Sequence, residues 1–367
     1  MSQTPVEQHV ITEVRGRVGC ITLNRPRALN ALSLRMIRDI TAALIAWRDD
    51  AHVLAVAVRG MGKEGPFGAF CAGGDIRFFH QAALAGNPEL EDFFTEEYAL
   101  NHLIHTYPKP YIAFMDGIVM GGGMGISQGA SLRIVTERSQ LAMPETGIGL
   151  FPDVGGGYFL SRCPGRMGEY LALTGQVTGA ADALALGLAD AQMDSGRLAG
   201  LWESLGQTPY ESGEAVQRWC MNHTQKTPAR ARAPDSELEQ VFALPSVVAM
   251  VQALEGSTSR WAQDTAALLR KRSPLMLHVV LEQVRRARGM GLADELRMER
   301  DMVRHCFQWR PGAAGETVEG IRALAVDKDH APRWNPARIE DVTTEQIAAF
   351  FDQPWPAHAH PLRALGR

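Results

Sequence analysis

Five cysteines among 367 residues, Cys20, Cys71, Cys163, Cys220 and Cys306, are odd in number and widely dispersed, and no C-x-x-C pair suggests zinc or a redox dithiol. That usage excludes a disulfide scaffold and points to a reducing compartment. Long apolar runs are missing too. No uninterrupted segment is long enough to span a bilayer, and the opening MSQTPVEQHVITEV has neither an apolar signal core nor arginine-rich transit character. The expectation is a soluble, cytoplasmic protein. A strong excess of one charge is absent as well: the formal net charge is -4 and the pI near 6.3, so nothing draws the chain to nucleic acid or an anionic membrane. Any anionic ligand must be held by local groups. No G-x-G-x-x-G opens a helix at the correct place and no G-K-[ST] occurs, which weakens nicotinamide and nucleotide-hydrolysis readings. His80, His102, His105 and His278 show no metal-binding spacing, and there is no short-period repeat.

At 46% hydrophobic and 21% charged, the chain is globular and long enough for a large core. Residues 10–23, alternating around Arg15-Gly16-Arg17, read as a hairpin. Ser33 then caps a helix with Ile37, Ile40, Leu44 and Trp47 on one face. A strand is expected at 53–59, helical sequence from the glycine-rich 60–74 connection through Tyr107, and strands at 111–115 and 131–136. Strands and helices alternate, so the class is α/β. From Met167 onward helical periodicity dominates, and TPARARAPDS at 227–236 reads as a loop or linker.

The stretch MPETGIGLFPDVGGGYF, 143–159, sets Glu145 and Asp153 in an apolar, glycine-rich frame. Carboxyl groups in such surroundings lose solvation and become proton carriers or nucleophiles near neutral pH. Helix initiation by Glu145 and a turn at Asp153 are the competing structural readings. FCAGGD at 70–75 and MGGG at 120–123 are side-chain-poor turns between strand and helix, where two amide hydrogens could converge on one oxygen. Tight-turn use of glycine is the alternative. GISQG at 125–129 matches a serine nucleophile elbow around Ser127, but no strand runs straight into that serine.

Three segments, NRPRALNALS at 24–33, FCAGGDIR at 70–77 and DGIVMGGGMGIS at 116–127, resemble the crotonase (enoyl-CoA hydratase/isomerase) superfamily. FFTEEYALN at 93–101, PETGIGLFPDVGGGYFLSR at 144–162 and EGIRALAVDKDHAPRWNPA at 319–337 extend the resemblance to its thioester-hydrolase subgroup, over nearly the whole chain. The resemblance implies a crotonase-type ββα spiral core over 1–193 and a mainly helical region over 194–367 that helps close an acyl-CoA site. It implies an oxyanion hole from the N–H groups of Gly74 and Gly122, a catalytic carboxylate at Glu145, a second acid at Asp153 and an acyl-pocket glutamate at Glu97. The segment with Arg25, Arg27, Leu29, Asn30 and Ala31 corresponds to the part that meets CoA, where arginine suits phosphate; for each arginine a solvated surface role stays open. The implied substrate is a short β-hydroxyacyl-CoA such as 3-hydroxyisobutyryl-CoA, in valine catabolism, with no metal or redox cofactor. Self-association is expected, since the superfamily often forms trimer-based assemblies. Hydratases of the superfamily carry a second glutamate two residues after the glycine triplet, and this chain has Gly125 there. Isomerase chemistry, which can use the one carboxylate at Glu145, is the alternative activity, and a non-catalytic CoA-binding protein is a third.

Overall fold

The computed structural model describes residues 8–225 and 236–366. Two compact units, each discontinuous in sequence, make up the chain. The first comprises Met1–Gly74, Leu103–Leu141 and Thr178–Arg230; the second comprises Asp75–His102, Ala142–Val177 and Ala231–Arg367. The expected boundary after 193 falls inside the Thr178–Arg230 stretch of the first unit. Residues 227–235 of the expected linker lie outside the described residues, and Ser236 begins a helix.

Among the described residues nine strands follow in chain order: β1 (Val10–Arg15), β2 (Val18–Leu23), β3 (Ala55–Gly62), β4 (Gly65–Pro66), β5 (Tyr111–Met115), β6 (Ile118–Met120), β7 (Leu132–Val135), β8 (Gln140–Ala142) and β9 (Ala191–Gln192). The main sheet of the first unit runs β1-β2-β3-β5-β7-β9, with β4 paired to β3, while β6 and β8 form a separate pair. β1 and β2 are the expected antiparallel hairpin; the β2-β3, β3-β5, β5-β7 and β7-β9 pairs are parallel. Every residue of β2 and β5 is buried, as parallel strands covered on both faces require. Ser33 Oγ accepts the Met36 N–H and starts the helix Leu34–Arg48, which buries Ile37, Ile40, Leu44 and Trp47. A Cβ on Gly19 of β2 would stand 2.5 Å from the Trp47 ring, so the glycine lets this helix lie close. Elsewhere in this core Trp202 meets Phe67 and Phe114 edge-on at 6.1 and 5.5 Å between ring centroids. β3 starts later than expected and extends to Gly62, because Met61 and Gly62 pair with Pro66 and Gly65. The pattern did not foretell β8 or β9, which span three and two residues and so leave no alternation to read.

The second unit is helical. Pro274–Ala287 buries most of its residues and leaves a narrow polar face with Glu282 and Arg286 toward solvent. Leu292–Gln308 carries Arg300, whose guanidinium donates to Glu91 and to Thr95 Oγ1 and stacks over Trp355. Phe79, Phe93, Phe94 and Phe307 pack in contact below it. No helix among the described residues is long and apolar enough to cross a membrane.

Candidate active site

In the first unit the two glycine turns lie side by side. The Cys71 N–H donates to Ile118 O at 2.9 Å and the Met120 N–H to Cys71 O at 3.0 Å, which bridges the turns where each leaves its strand. Gly73 and Gly121 take φ of +112° and +48°, conformations open to glycine, and each immediately precedes a candidate donor, Gly74 or Gly122. A Cβ on Gly73 would stand 3.4 Å from Met120 O and 3.7 Å from the Gly122 nitrogen. Gly122 opens the helix Gly122–Gln128, where first-turn N–H groups have no partner within the helix. Among the described residues no backbone carbonyl accepts from the Gly74 or Gly122 N–H. Two N–H groups without a backbone acceptor thus lie on adjoining turns.

Residues 25–31 are strapped to that turn. Leu32 N–H donates to Gly73 O at 2.8 Å and Ala72 N–H to Leu29 O at 3.0 Å. Asn30 is fully buried; its side-chain oxygen accepts the Arg25 N–H at 2.8 Å and its amide donates to Met61 O and Ala69 O, each at 3.0 Å. The Asn30 amide is therefore spent on shaping the loop. Arg25, Leu29 and Ala31 are half-buried, and Arg27 is exposed. Ser127 lies in the helix interior, its hydroxyl donating to Gly123 O at 2.8 Å, a satisfied core serine.

The carboxyl groups belong to the second unit. Glu145 opens a one-turn helix, Glu145–Ile148, and its carbonyl accepts the Leu150 N–H at 3.0 Å. Its side chain is buried, with Oε2 lacking a hydrogen-bond partner. The Arg272 side chain packs so near this turn that a Cβ on Gly147 would lie 2.5 Å from its Nη1. Asp153 is likewise buried and accepts the Tyr98 hydroxyl at 2.9 Å. Glu97, adjacent to Tyr98 on the helix Glu89–His105, is buried with Oε1 unpartnered.

Burial first, then the charges of Asp153 and Glu145, holds the Glu97 carboxyl well above the usual range. Burial and Asp153 do the same to Glu145, against a small opposing pull from Arg272. Burial lifts Asp153 to about 7, and the Tyr98 hydrogen bond restrains the rise. Burial and mutual repulsion therefore favour the protonated forms of Glu97 and Glu145, while the Tyr98 hydrogen bond favours the charged form of Asp153. Sequence reasoning missed Tyr98 and Arg272; Tyr98 sits beside Glu97 in a quoted motif, but nothing local marks Arg272. Among the described residues no group of three or more His, Cys, Asp or Glu side chains is arranged to hold a metal ion.

The adjoining glycine turns and the apolar acid cluster are features of an acyl-CoA enzyme, and the chain belongs to the enoyl-CoA hydratase/isomerase family, whose sequence profile matches residues 18–351. It is similar to the 3-hydroxyisobutyryl-CoA hydrolase, mitochondrial, of Gallus gallus, at 39% identity over 93% of this chain and 88% of that one. The Homo sapiens protein of the same name is 37% identical over 95% and 89%. Among solved structures, a carnitinyl-CoA dehydratase from Mycobacterium thermoresistibile superposes with a TM-score of 0.86 at 36% identity, covering 98% of this chain and all of that one. An enoyl-CoA hydratase from Rhodobacter sphaeroides 2.4.1 gives 0.81 at 34% identity over 95% and 98%.

Proposed function

We propose that the protein hydrolyses a short β-hydroxyacyl-CoA thioester, foremost 3-hydroxyisobutyryl-CoA, to the hydroxy acid and free CoA, a step of valine catabolism. The observation that carries this reading is that Glu145 and Asp153 are both buried, Asp153 accepting the Tyr98 hydroxyl at 2.9 Å, while Gly125 stands where a hydratase has its second glutamate. The N–H groups of Gly74 and Gly122 receive the thioester oxygen as it becomes an oxyanion, worth on the order of 3 kcal/mol per donor in comparable holes. Glu145 passes its proton to Asp153 and then, as carboxylate, attacks the carbonyl carbon or takes a proton from the attacking water. Collapse of the tetrahedral intermediate expels CoA as thiolate, which takes up a proton from the acid pair. Where Glu145 is the nucleophile, water then opens the resulting mixed anhydride, releasing the hydroxy acid and restoring the carboxyl group. Before that, Asp153 orients the β-hydroxyl; Glu97 lines the acyl chain, and Arg25 and Arg27 supply charge for the CoA phosphates. CoA is part of the substrate, and the scheme needs no metal or redox cofactor.

Hydration is the second reading, favoured by the similarity to a solved enoyl-CoA hydratase and a solved carnitinyl-CoA dehydratase. One assay separates the two. Purified protein should release thiol from 3-hydroxyisobutyryl-CoA or 3-hydroxypropionyl-CoA faster than it hydrates crotonyl-CoA, and efficient hydration without thiol release would reverse the choice.

A further inference from the structure

The acid loop is held from a distant helix. Val154, a β-branched residue directly after Asp153, has φ of +56°, and Gly155 follows at +87°. A valine in the left-handed region is strained and persists only where its surroundings over-determine it. Those surroundings are explicit. Before Asp153, Pro152 O accepts Gln283 Nε2 at 2.8 Å; after it, Glu299 Oε2 accepts the Gly155 N–H at 2.8 Å and Oε1 the Gly157 N–H at 3.3 Å. The same Gln283 nitrogen donates to Glu299 Oε1 at 3.1 Å, so the two anchors are joined to each other.

Glu299 is itself fully buried, and Glu295, one turn earlier on Leu292–Gln308, is fully buried beside it. Burial holds the Glu299 carboxyl well above the usual range and the neighbouring Glu295 raises it further, while burial lifts Glu295 to about 7. Three N–H groups converge on Glu299, those of Gly155 and Gly157 and the side-chain amide of Gln283. A Cβ on Gly157 would stand 2.3 Å from Glu295 Oε1, so the glycine is what lets the pair come this close. A leucine or glutamine would fill this space at less cost in desolvation than two acids. The acids supply a two-pronged acceptor that neither substitute has.

We propose that Glu299, joined to Gln283 and Glu295, is a positioning residue that fixes the strained Val154 turn and thereby aims the Asp153 carboxylate. The role rests on reading Asp153 as part of the acyl-CoA site. The other ionisable groups facing these acids are Tyr98, Glu97, Glu145 and Cys306, with Arg162 near Glu295 and Arg272 near Glu145.

The test is Glu299→Gln, which keeps the volume but replaces one acceptor oxygen with an NH2 donor. It should lower kcat for 3-hydroxyisobutyryl-CoA by about tenfold or more with KM nearly unchanged. In an Asp153→Asn background the same change should cost little further, whereas a merely structural role costs the same factor in both. The Asp153 titration, followed by carboxyl-carbon NMR and assigned with Asp153→Asn, should shift by about half a unit or more as the loop loses its anchor and the carboxyl group changes its surroundings. That readout needs no turnover, so a protein without thioesterase activity would sink the functional reading and leave the clamp to be judged by NMR. Should Glu299→Gln not fold, Gln283→Met removes the donor to Pro152 O at similar volume and should likewise depress kcat. Full kcat with an unmoved Asp153 titration in a folded variant overturns the proposal, as does an equal loss in the two backgrounds.

Discussion

The Tyr98 hydroxyl donates to Asp153 Oδ2 at 2.9 Å, with both residues buried, and this bond is what keeps the aspartate ionisable near neutral pH. Tyr98→Phe removes a donor to the charged form, so the Asp153 pKa should climb above its value of about 7. The acid limb of kcat/KM should move to higher pH in step, measured as a pH profile of thiol release. An unmoved limb would show that Asp153 does not set it.

Asp153→Asn keeps the shape and removes the charge. Its kcat/KM should fall about tenfold more on 3-hydroxyisobutyryl-CoA than on isobutyryl-CoA, because only the former offers a hydroxyl to orient. Equal losses on both substrates would remove the orienting role and leave proton transfer alone.

Glu145 links activity to stability with a definite sign. Burial raises its folded pKa, so the folded chain holds a proton that the unfolded chain gives up at its ordinary value of about 4.3. The group's contribution to stability is complete below that pH and is lost as pH rises toward the folded value. Glu145→Gln cannot ionise. Relative to wild type it should gain little in urea unfolding at about pH 5 and progressively more as pH rises toward about 9, while nearly all kcat disappears. A pH-independent difference would mean that Glu145 is charged in the folded protein.

At Gly121, φ of 48° and ψ of -121° exclude a side chain without strain. Gly121→Ala should cost about 1–3 kcal/mol of stability and turn the Gly122 N–H away from its direction, lowering kcat. Calorimetry and thiol release on the same sample check both; an unchanged Tm would show that the turn tolerates a Cβ.

Ser127→Ala loses one internal hydrogen bond, from the hydroxyl to Gly123 O, worth about 1 kcal/mol. Thiol release should stay near wild type. Loss of turnover would reinstate the serine as nucleophile.

Local chemistry was legible and remote chemistry was not. The hairpin around Gly16, the Ser33 cap and the one-sided apolar face of Leu34–Arg48 each rest on neighbours in sequence, and each stands where the pattern places it. Short strands such as β9 exist only because a longer neighbour, β7, supplies hydrogen bonds. The apolar frame of Glu145 and Asp153 announced buried acids, yet not which would hold the proton, since that depends on a tyrosine 55 residues upstream of Asp153. Asn30 illustrates the reverse: the motif marks the position, but its amide is turned inward to Met61 O and Ala69 O.

The bond from the Gly155 N–H to Glu299 spans 144 positions of the chain. During synthesis both acids of the 143–159 stretch leave the ribosome long before the helix that holds their loop exists, and a polypeptide halted before Leu292 possesses Glu145 and Asp153 without the anchor for Val154. A product truncated there would thus carry the reactive groups unaligned, and alignment would arrive only once Glu299 had been added.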